Sequence, residues 1–227
     1  MVKISNREVV DVVRYTDSKI IIAEKKPSLD APDGVMYYLL NLKTLDKEVI
    51  TKNAYLMKKF GSSAYKKLSE AISGYAQCDA AILKDKSVFI IFPNGQCGMF
   101  SPKGEKLWDK TLDYHGNTVT GLARDGDYIW SCCKEENCVI RYSLDIKLSV
   151  DLRIGSRESA TFSEPCFVSA DEKNVYVCCS NRLRAISKSD LLVSDISDSL
   201  KGLKRFYRFG NNSLICTDDG AYISQDA

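Results

Sequence analysis

Five short apolar stretches recur along this chain, and each of them ends in Asn or Ser. The residues at their ends are Asn41, Ser101, Ser143, Ser187 and Ser224. They follow one another at intervals of about 40 residues, a period typical of repeat architectures. Only the interval from Asn41 to Ser101 is clearly longer. Counting from Ser224 through the C-terminus to Asn41 gives the same period, so the pattern predicts five units arranged in a closed ring.

Each of these stretches follows another apolar stretch that is typical of a β-strand. The preceding strands are KIIIA, VFIIF, YIWSCC, VYVCC and SLICT. A polar turn and a third strand come next, and a fourth strand lies upstream, as in REVVDVVRY and KRFYRFG. β-Branched and aromatic runs separated by Gly, Asn, Asp, Ser and Lys favour antiparallel hairpins. Four antiparallel strands in about 40 residues are typical of one propeller blade.

The chain resembles β-propeller repeat proteins along nearly its whole length. The stretch MFSPKGEKLWDKTL is similar to repeats of the pyrroloquinoline-quinone type, in which a Gly turn precedes a Trp on the outer strand. The Trp108–Asp109 pair lies after the Gly turn and has no Gly-His pair with it, so it departs from the WD-repeat signature. The resemblance implies the architecture, with pyrroloquinoline-quinone-type or WD-repeat-like blades, and leaves the family open.

The fifth unit lacks an outer strand, because the chain ends at AYISQDA. The N-terminal sequence VKISNREVV offers a spare strand, and pairing the two ends would remove an exposed sheet edge. We therefore predict a single all-β domain over residues 1–227, a five-bladed β-propeller closed by residues 2–9. A short helical insertion is expected around residues 52–74, within the long interval between the first two units.

Composition and charge narrow the classes of function. Lys and Arg number 32 against 30 Asp and Glu, so no global charge excess directs the chain to nucleic acid or to a membrane. The first residues lack the basic start and apolar run of a signal peptide, and no stretch approaches the ~18 apolar residues of a membrane span. These features predict a cytoplasmic, cysteine-rich protein whose nine cysteines are thiols rather than disulfides.

Two Cys-Cys pairs occupy the same place in neighbouring units, since Cys132 aligns with Cys178 and Cys133 aligns with Cys179. Equivalent positions of packed sheets lie about 10 Å apart, whereas zinc needs metal–sulfur bonds of about 2.3 Å. Adjacent residues of a strand also point to opposite faces. The pairs therefore predict packing cysteines, and we expect no metal and no cofactor. Cys138, which follows the turn, is expected to approach Cys133 across the hairpin.

Function is expected on the face that holds the blade-to-blade loops and the loops between the second and third strands. This face includes residues 24–34, 52–74, 113–117, 153–162 and 200–208. Several of these loops are rich in Lys and Arg. The favoured hypothesis is a non-enzymatic scaffold that presents a basic, aromatic loop face to a protein partner, with an acidic protein as the favoured class.

Aromatic and Arg side chains dominate the energy of protein interfaces. The residues predicted to contact the partner are Tyr55, Lys58, Lys59, Phe60, Tyr65, Lys66, Tyr114, Arg157, Lys204 and Arg205. A simpler interpretation stays open, in which the lysines form a solvated helix face that only covers the ring. Nucleic acid is disfavoured as a partner, because no DNA- or RNA-binding signature accompanies the lysines.

The alternative function is a carbohydrate-active hydrolase, since some five-bladed propellers are glycosidases. Such an enzyme needs two carboxylates about 5–10 Å apart in the channel. Asp11, Asp79 and Glu164 are the inner-strand candidates, and Asp11 aligns with Asp79. The same pattern is typical of polar residues that hydrogen-bond a neighbouring blade, and that structural role is favoured. His115 is the only histidine, and no nucleophile elbow accompanies it.

Overall fold

The computed structural model describes residues 1–26, 34–61, 79–83, 85–92, 95–145 and 147–225. Within these ranges the chain forms five four-stranded antiparallel sheets, one two-stranded hairpin and one helix. The five sheets are the blades of a β-propeller, and the predicted all-β class and blade number are confirmed.

Strand order within each blade follows the chain, except that the first strand belongs to the last blade. That strand is β1 (Val2–Ser5). Blade 1 comprises β2 (Val9–Arg14), β3 (Lys19–Lys25), β4 (Val35–Asn41) and β5 (Lys47–Ile50), and helix α1 (Lys52–Phe60) follows it. Blade 2 comprises β6 (Asp79–Ile82), β7 (Val88–Ile91), β8 (Gln96–Phe100) and β9 (Lys106–Thr111), and a hairpin of β10 (Asp113–Tyr114) and β11 (Asn117–Thr118) follows it.

The remaining three blades are more regular. Blade 3 comprises β12 (Thr120–Asp125), β13 (Tyr128–Cys133), β14 (Cys138–Ser143) and β15 (Val150–Ile154). Blade 4 comprises β16 (Phe167–Ala170), β17 (Asn174–Cys179), β18 (Arg182–Ser187) and β19 (Val193–Ser197). Blade 5 comprises β20 (Arg205–Phe209), β21 (Asn212–Thr217) and β22 (Gly220–Gln225), with β1 as its fourth strand.

Strand β1 closes the ring by pairing antiparallel to β22. Val2 lies opposite Ile223, and after a register shift Ser5 lies opposite Ala221. The predicted closure by the N-terminal strand is confirmed, although the closing segment is shorter than residues 2–9. The Arg7 amide donates a hydrogen bond to Ser5 Oγ at 3.0 Å. This local turn takes the chain out of blade 5 before it enters β2 of blade 1.

Gly220 is the residue on which this closure depends most directly. Its φ of 139° is one that residues with a side chain rarely adopt, and a Cβ there would overlap the carbonyl oxygen of Ser5. We expect Gly220→Ala to displace β1 and to destabilise the fold by about 1–3 kcal/mol. Hydrogen exchange at the Lys3 and Ser5 amides should accelerate. Unchanged exchange at those amides would contradict the prediction.

Gly210→Ala is a matched control for that experiment. Gly210 also has a positive φ, of 60°, but nothing lies within 4 Å of the position that a Cβ would take. The backbone conformation alone costs about 1–2 kcal/mol for a residue with a Cβ. We therefore expect Gly210→Ala to lower global stability while leaving the exchange of the β1 amides close to its level in the parent chain.

Apolar side chains fill the spaces between most neighbouring blades, because each strand points alternate residues to its two faces. Residues from both blades share each layer: Ile20 and Leu214 between blades 1 and 5, Phe89 and Ile129 between blades 2 and 3, Trp130 and Val177 between blades 3 and 4, and Tyr176 and Phe206 between blades 4 and 5. These layers make the ring one continuous packed structure.

The space between blades 1 and 2 is filled differently, by helix α1. The Thr51 side chain caps the helix and accepts a hydrogen bond from the Ala54 amide at 3.2 Å. Tyr55 packs on blade 1, with its ring centroid 4.6 Å from that of Tyr37. Phe60 is fully buried in the apolar cluster of blade 2. The helix is therefore a wedge between two blades rather than a cover over the ring.

Candidate functional site

Within the described residues, loops of blades 3, 4 and 5 that were predicted to share one face lie together, and Arg153 of blade 3 contacts Tyr114 of the β10–β11 hairpin. We call the surface formed by these loops and this hairpin the loop face. The Leu200 amide donates to the carbonyl oxygen of Asn181 at 3.0 Å, so the loop before blade 5 contacts the hairpin turn of blade 4. The Ser180 amide similarly donates to the carbonyl oxygen of Ser163 at 3.4 Å. Backbone hydrogen bonds thus join blade-to-blade loops to second-to-third-strand loops.

Three basic side chains of the loop face form ion pairs with acids. Ion pairs join Arg157 to Glu136 at 3.0 Å, Lys204 to Asp218 at 3.0 Å and Lys134 to Glu164 at 3.3 Å. Hydrogen bonding and the charge of Asp218 raise the pKa of Lys204. The acids come largely from the second-to-third-strand loops, which the sequence argument did not count. In its described part, the loop face therefore carries acidic groups beside its basic ones. The predicted basic excess stays a prediction, because residues 62–74 lie outside the described ranges.

Three of the residues predicted to bind a partner serve the interior of the ring. Tyr55 is 5% exposed and Phe60 is 0% exposed, so neither ring is accessible to a partner. Lys59 pairs with Asp11 at 2.7 Å, and its side chain is 8% exposed. Their spacing on α1 directs them between the blades, and we remove them from the binding surface. Tyr65 and Lys66 lie outside the described residues.

The other predicted contact residues stay accessible. Lys58 is exposed, but its Nζ lies 5.2 Å from the centroid of the Tyr15 ring, in the first-to-second-strand turn of blade 1. Lys58 therefore lies at the end of the ring opposite the loop face, and we remove it from the loop-face contacts. Tyr114 lies at the tip of the β10–β11 hairpin and stacks on His115 at 4.1 Å between centroids. Arg157 donates through Nε to the carbonyl oxygen of Glu135 at 2.8 Å, which fixes its position on the loop face.

Two more predicted contacts, Lys204 and Arg205, lie where the chain enters blade 5. Lys204 is exposed and is held by its ion pair with Asp218. The Arg205 guanidinium lies 4.9 Å from the centroid of the Phe167 ring, on the inner strand of blade 4. Arg205 is partly buried, so it contributes more to the contact between blades 4 and 5 than to the open surface.

Asp11, the first carboxylate of the hydrolase hypothesis, is engaged by helix α1. Asp11 accepts hydrogen bonds from the Tyr55 hydroxyl at 2.5 Å and from Lys59 Nζ at 2.7 Å. Burial and the charge of Asp11 raise the pKa of Tyr55 well above its ordinary value. Asp11 thus fastens helix α1 to the inner strand of blade 1.

The two other candidate carboxylates lie elsewhere. Strand register places Asp79 at the position of blade 2 that Asp11 holds in blade 1, as the sequence alignment predicted. The side chain of Asp79 is outside the described part of the structure. Glu164 was predicted on an inner strand, and this is wrong, because it lies in the loop before β16 with a side chain 57% exposed.

The cysteine pairs pack as the repeat predicted. Cys132 and Cys179 share the apolar layer between blades 3 and 4, while Cys133 faces blade 2 and Cys178 faces blade 5. All four are at most 1% exposed. Cys138 lies directly opposite Cys133 in the register, and their thiols form a hydrogen bond. Within the described residues, no group of three His, Cys, Asp or Glu side chains is arranged to hold a metal ion.

Burial of these thiols predicts a loss of stability at alkaline pH. Desolvation raises the pKa of Cys97 and Cys179 to about 11, and that of Cys138 and Cys216 to about 12. The folded state therefore keeps protons that the unfolded chain loses near its ordinary thiol pKa of about 8.5. This stability is fully present below about pH 8 and should decline as the pH rises from about 9 toward 12.

Urea unfolding at several pH values between about 7 and 11 tests this prediction. The Cys216→Ala variant serves as a control, because Cys216 is buried and its thiol contributes to the proton difference between the two states. We expect a shallower alkaline decline in Cys216→Ala than in the parent chain. A parent chain whose free energy of unfolding stays constant between pH 8 and 11 would contradict the prediction.

Comparison with solved structures identifies the architecture. The chain aligns with a chain of the nidogen/laminin complex at 8% identity and a TM-score of 0.53, covering 97% of this chain and 76% of that one. It aligns with U3-55K and with the WD40 repeats of RRP9, each at 12% identity and a TM-score of 0.51. The fold is shared with WD40-repeat propellers.

The same comparisons show how far the likeness extends. Each of the two WD40 alignments covers 97% of this chain, which spans about three fifths of the other chain's length: 62% for U3-55K and 61% for RRP9. Comparison with protein-family models and with curated proteins gives no match. In the described part of the chain, no helix combines the length and hydrophobicity that a bilayer span requires.

Proposed function

We propose that this propeller is a non-enzymatic scaffold that binds a protein partner through its loop face. The main support is that hydrogen bonds and ion pairs join the separate loops of the loop face to one another. A surface that is ordered before binding loses less conformational entropy when a partner docks. The likeness to WD40-repeat structures supports the same class of function, and the cytoplasm remains the proposed setting on the basis of the sequence.

The proposed contact surface combines exposed and aromatic side chains from separate loops. Tyr114 with His115 caps the β10–β11 hairpin, and Lys204 is exposed where the chain enters blade 5. Arg157 adds a guanidinium from the loop before blade 4. Since the lysines and arginines nearby are largely paired with acids, we propose a partner of mixed charge in place of an acidic one. Asp11 is engaged by α1, and the hydrolase is therefore not proposed.

The test uses the full chain as an affinity bait in native lysate, with captured proteins identified by mass spectrometry. The loop-face variant carries Tyr114→Ser and Arg157→Glu. The control variant carries Lys103→Glu and Lys173→Glu, two exposed lysines in turns on the opposite face. We expect one protein to be captured by both the parent chain and the control variant. The amount of that protein captured by the loop-face variant should be at least tenfold lower. The purified partner should then bind the parent chain and the control variant more tightly than it binds the loop-face variant.

Two outcomes would overturn the proposal. One is a partner whose capture by the loop-face variant equals that by the parent chain, which would place binding elsewhere on the ring. The other is a chain that retains no protein specifically at either low or moderate salt. Circular dichroism and thermal unfolding of each variant establish that a loss of binding reflects the surface rather than the fold.

A further inference from the structure

The centre of the ring encloses a cavity that the proposed loop-face function does not use. Its volume is about 280 Å³, close to the lower end of the range for small-molecule sites. Inner strands of blades 1, 3, 4 and 5 line it, together with Lys59 of helix α1. Phe167 and Tyr207 contribute aromatic rings to the wall, with centroids 5.3 Å apart.

Arginines recur at one level of the inner strands. In the strand register, Arg14 lies opposite Ile20, Arg124 opposite Ile129 and Arg208 opposite Ser213. These three opposing residues are each the second residue of the second strand, in blades 1, 3 and 5. Arg14 and Arg124 line the cavity. The repeat therefore places guanidinium groups from separate blades at the same end of the channel.

The lining of the cavity is cationic. Arg14, Lys59 and Arg124 are its cations and Asp11 is its carboxylate, which Lys59 already pairs at 2.7 Å. Arg14 pairs with Asp17, but both side chains are largely exposed, at 56% and 98%, so this pair is weak. Among the described residues Arg124 has no carboxylate partner, and its Nε donates to the carbonyl oxygen of Gly126 at 3.1 Å.

We propose that the central cavity binds a small phosphomonoester that carries an aromatic or apolar group. Such a phosphate bears a charge of about −1.5 to −2 at neutral pH, which balances the two guanidinium groups of the lining. Guanidinium groups bind phosphate oxygens through paired N–H donors. The Phe167 and Tyr207 rings offer a surface for the apolar part of the ligand. The site is separate from the loop face and does not depend on a protein partner.

Isothermal titration with phenyl phosphate tests the site on the full chain. Binding to the parent chain is expected to be saturable, with inorganic phosphate weaker and phenol weaker still. Arg124→Gln should weaken phenyl phosphate binding at least tenfold. Arg182→Gln should leave it within twofold, because Arg182 lies on the second-to-third-strand turn of blade 4 and is not part of the cavity lining. Arg124 is exposed, so the Gln variant should retain the fold.

Three results would overturn this proposal. The first is the absence of saturable binding of phenyl phosphate to the parent chain. The second is equal weakening by Arg124→Gln and Arg182→Gln, which would indicate a general electrostatic effect. The third is binding of phenol as tight as that of phenyl phosphate, because the phosphate would then contribute nothing. A loop-face variant that binds phenyl phosphate normally would further separate this site from partner binding.

Discussion

Lys59→Met is expected to destabilise the propeller by about 3–5 kcal/mol, because it leaves the carboxylate of Asp11 without its buried cation. The side chains of Lys59 and Asp11 are 8% and 13% exposed. The Tyr55 hydroxyl, which donates to Asp11 at 2.5 Å, is retained in the variant, so we expect the lower half of that range. The midpoint and slope of urea unfolding, followed through the buried Trp130, measure the loss.

Two further variants make the Lys59 prediction specific. Lys58→Met removes an exposed lysine one residue earlier and should cost less than about 1 kcal/mol. The double variant Asp11→Asn with Lys59→Met removes both charges while keeping an acceptor for Tyr55, and it should recover at least half of the loss. If Lys59→Met proves as stable as Lys58→Met, the ion pair does not hold α1 in place.

Phe60→Ala is the second change with a large expected effect, of about 3–5 kcal/mol. The Phe60 ring is 0% exposed and packs against Val88, Ile90 and Phe100 of blade 2. Because α1 fills the space between blades 1 and 2, the cavity left by Ala would open the ring at that point. Hydrogen exchange should accelerate most in β7, and denaturant unfolding gives the free energy.

Met57→Ala is the matched control for Phe60→Ala on the same helix. Met57 is 37% exposed and lies outside the cluster that buries Phe60. Its replacement by Ala, a strong helix former, should cost less than about 1 kcal/mol. A Phe60→Ala variant within 1 kcal/mol of Met57→Ala, or one whose exchange accelerates equally in all blades, would show that the helix is not a structural wedge.

The repeat was sufficient to predict the ring, since its period, its turns and its missing outer strand each follow from short-range pattern. The wedge was not predicted, because an amphipathic helix of nine residues has the same pattern whether it covers a surface or separates two sheets. Tyr55 and Phe60 were therefore assigned to a binding surface. Only the two sheets on either side of α1 determine that their rings are buried.

The ion pairs between loops could not be predicted from the sequence either. Arg157 and Glu136 belong to different loops of the chain, and only strand topology brings them to 3.0 Å. The channel arginines, in contrast, carry a signal that the repeat alignment contains. Arg14, Arg124 and Arg208 each lie near the end of an inner strand, at the same register level. An alignment of the inner strands of the units, in addition to the second strands, would have found them.

The pairing of β1 with β22 also fixes an order of events during synthesis. Among the strands of the ring, β1 is synthesised first, and its partner β22 (Gly220–Gln225) is synthesised last. The ring therefore stays open until β22 has been synthesised, with blade 5 incomplete and the edge of β1 unpaired. Contacts between such distant segments slow folding, and unpaired edges favour aggregation. Blades 1 to 4, each formed by one continuous segment, are the parts able to fold before β22 is made.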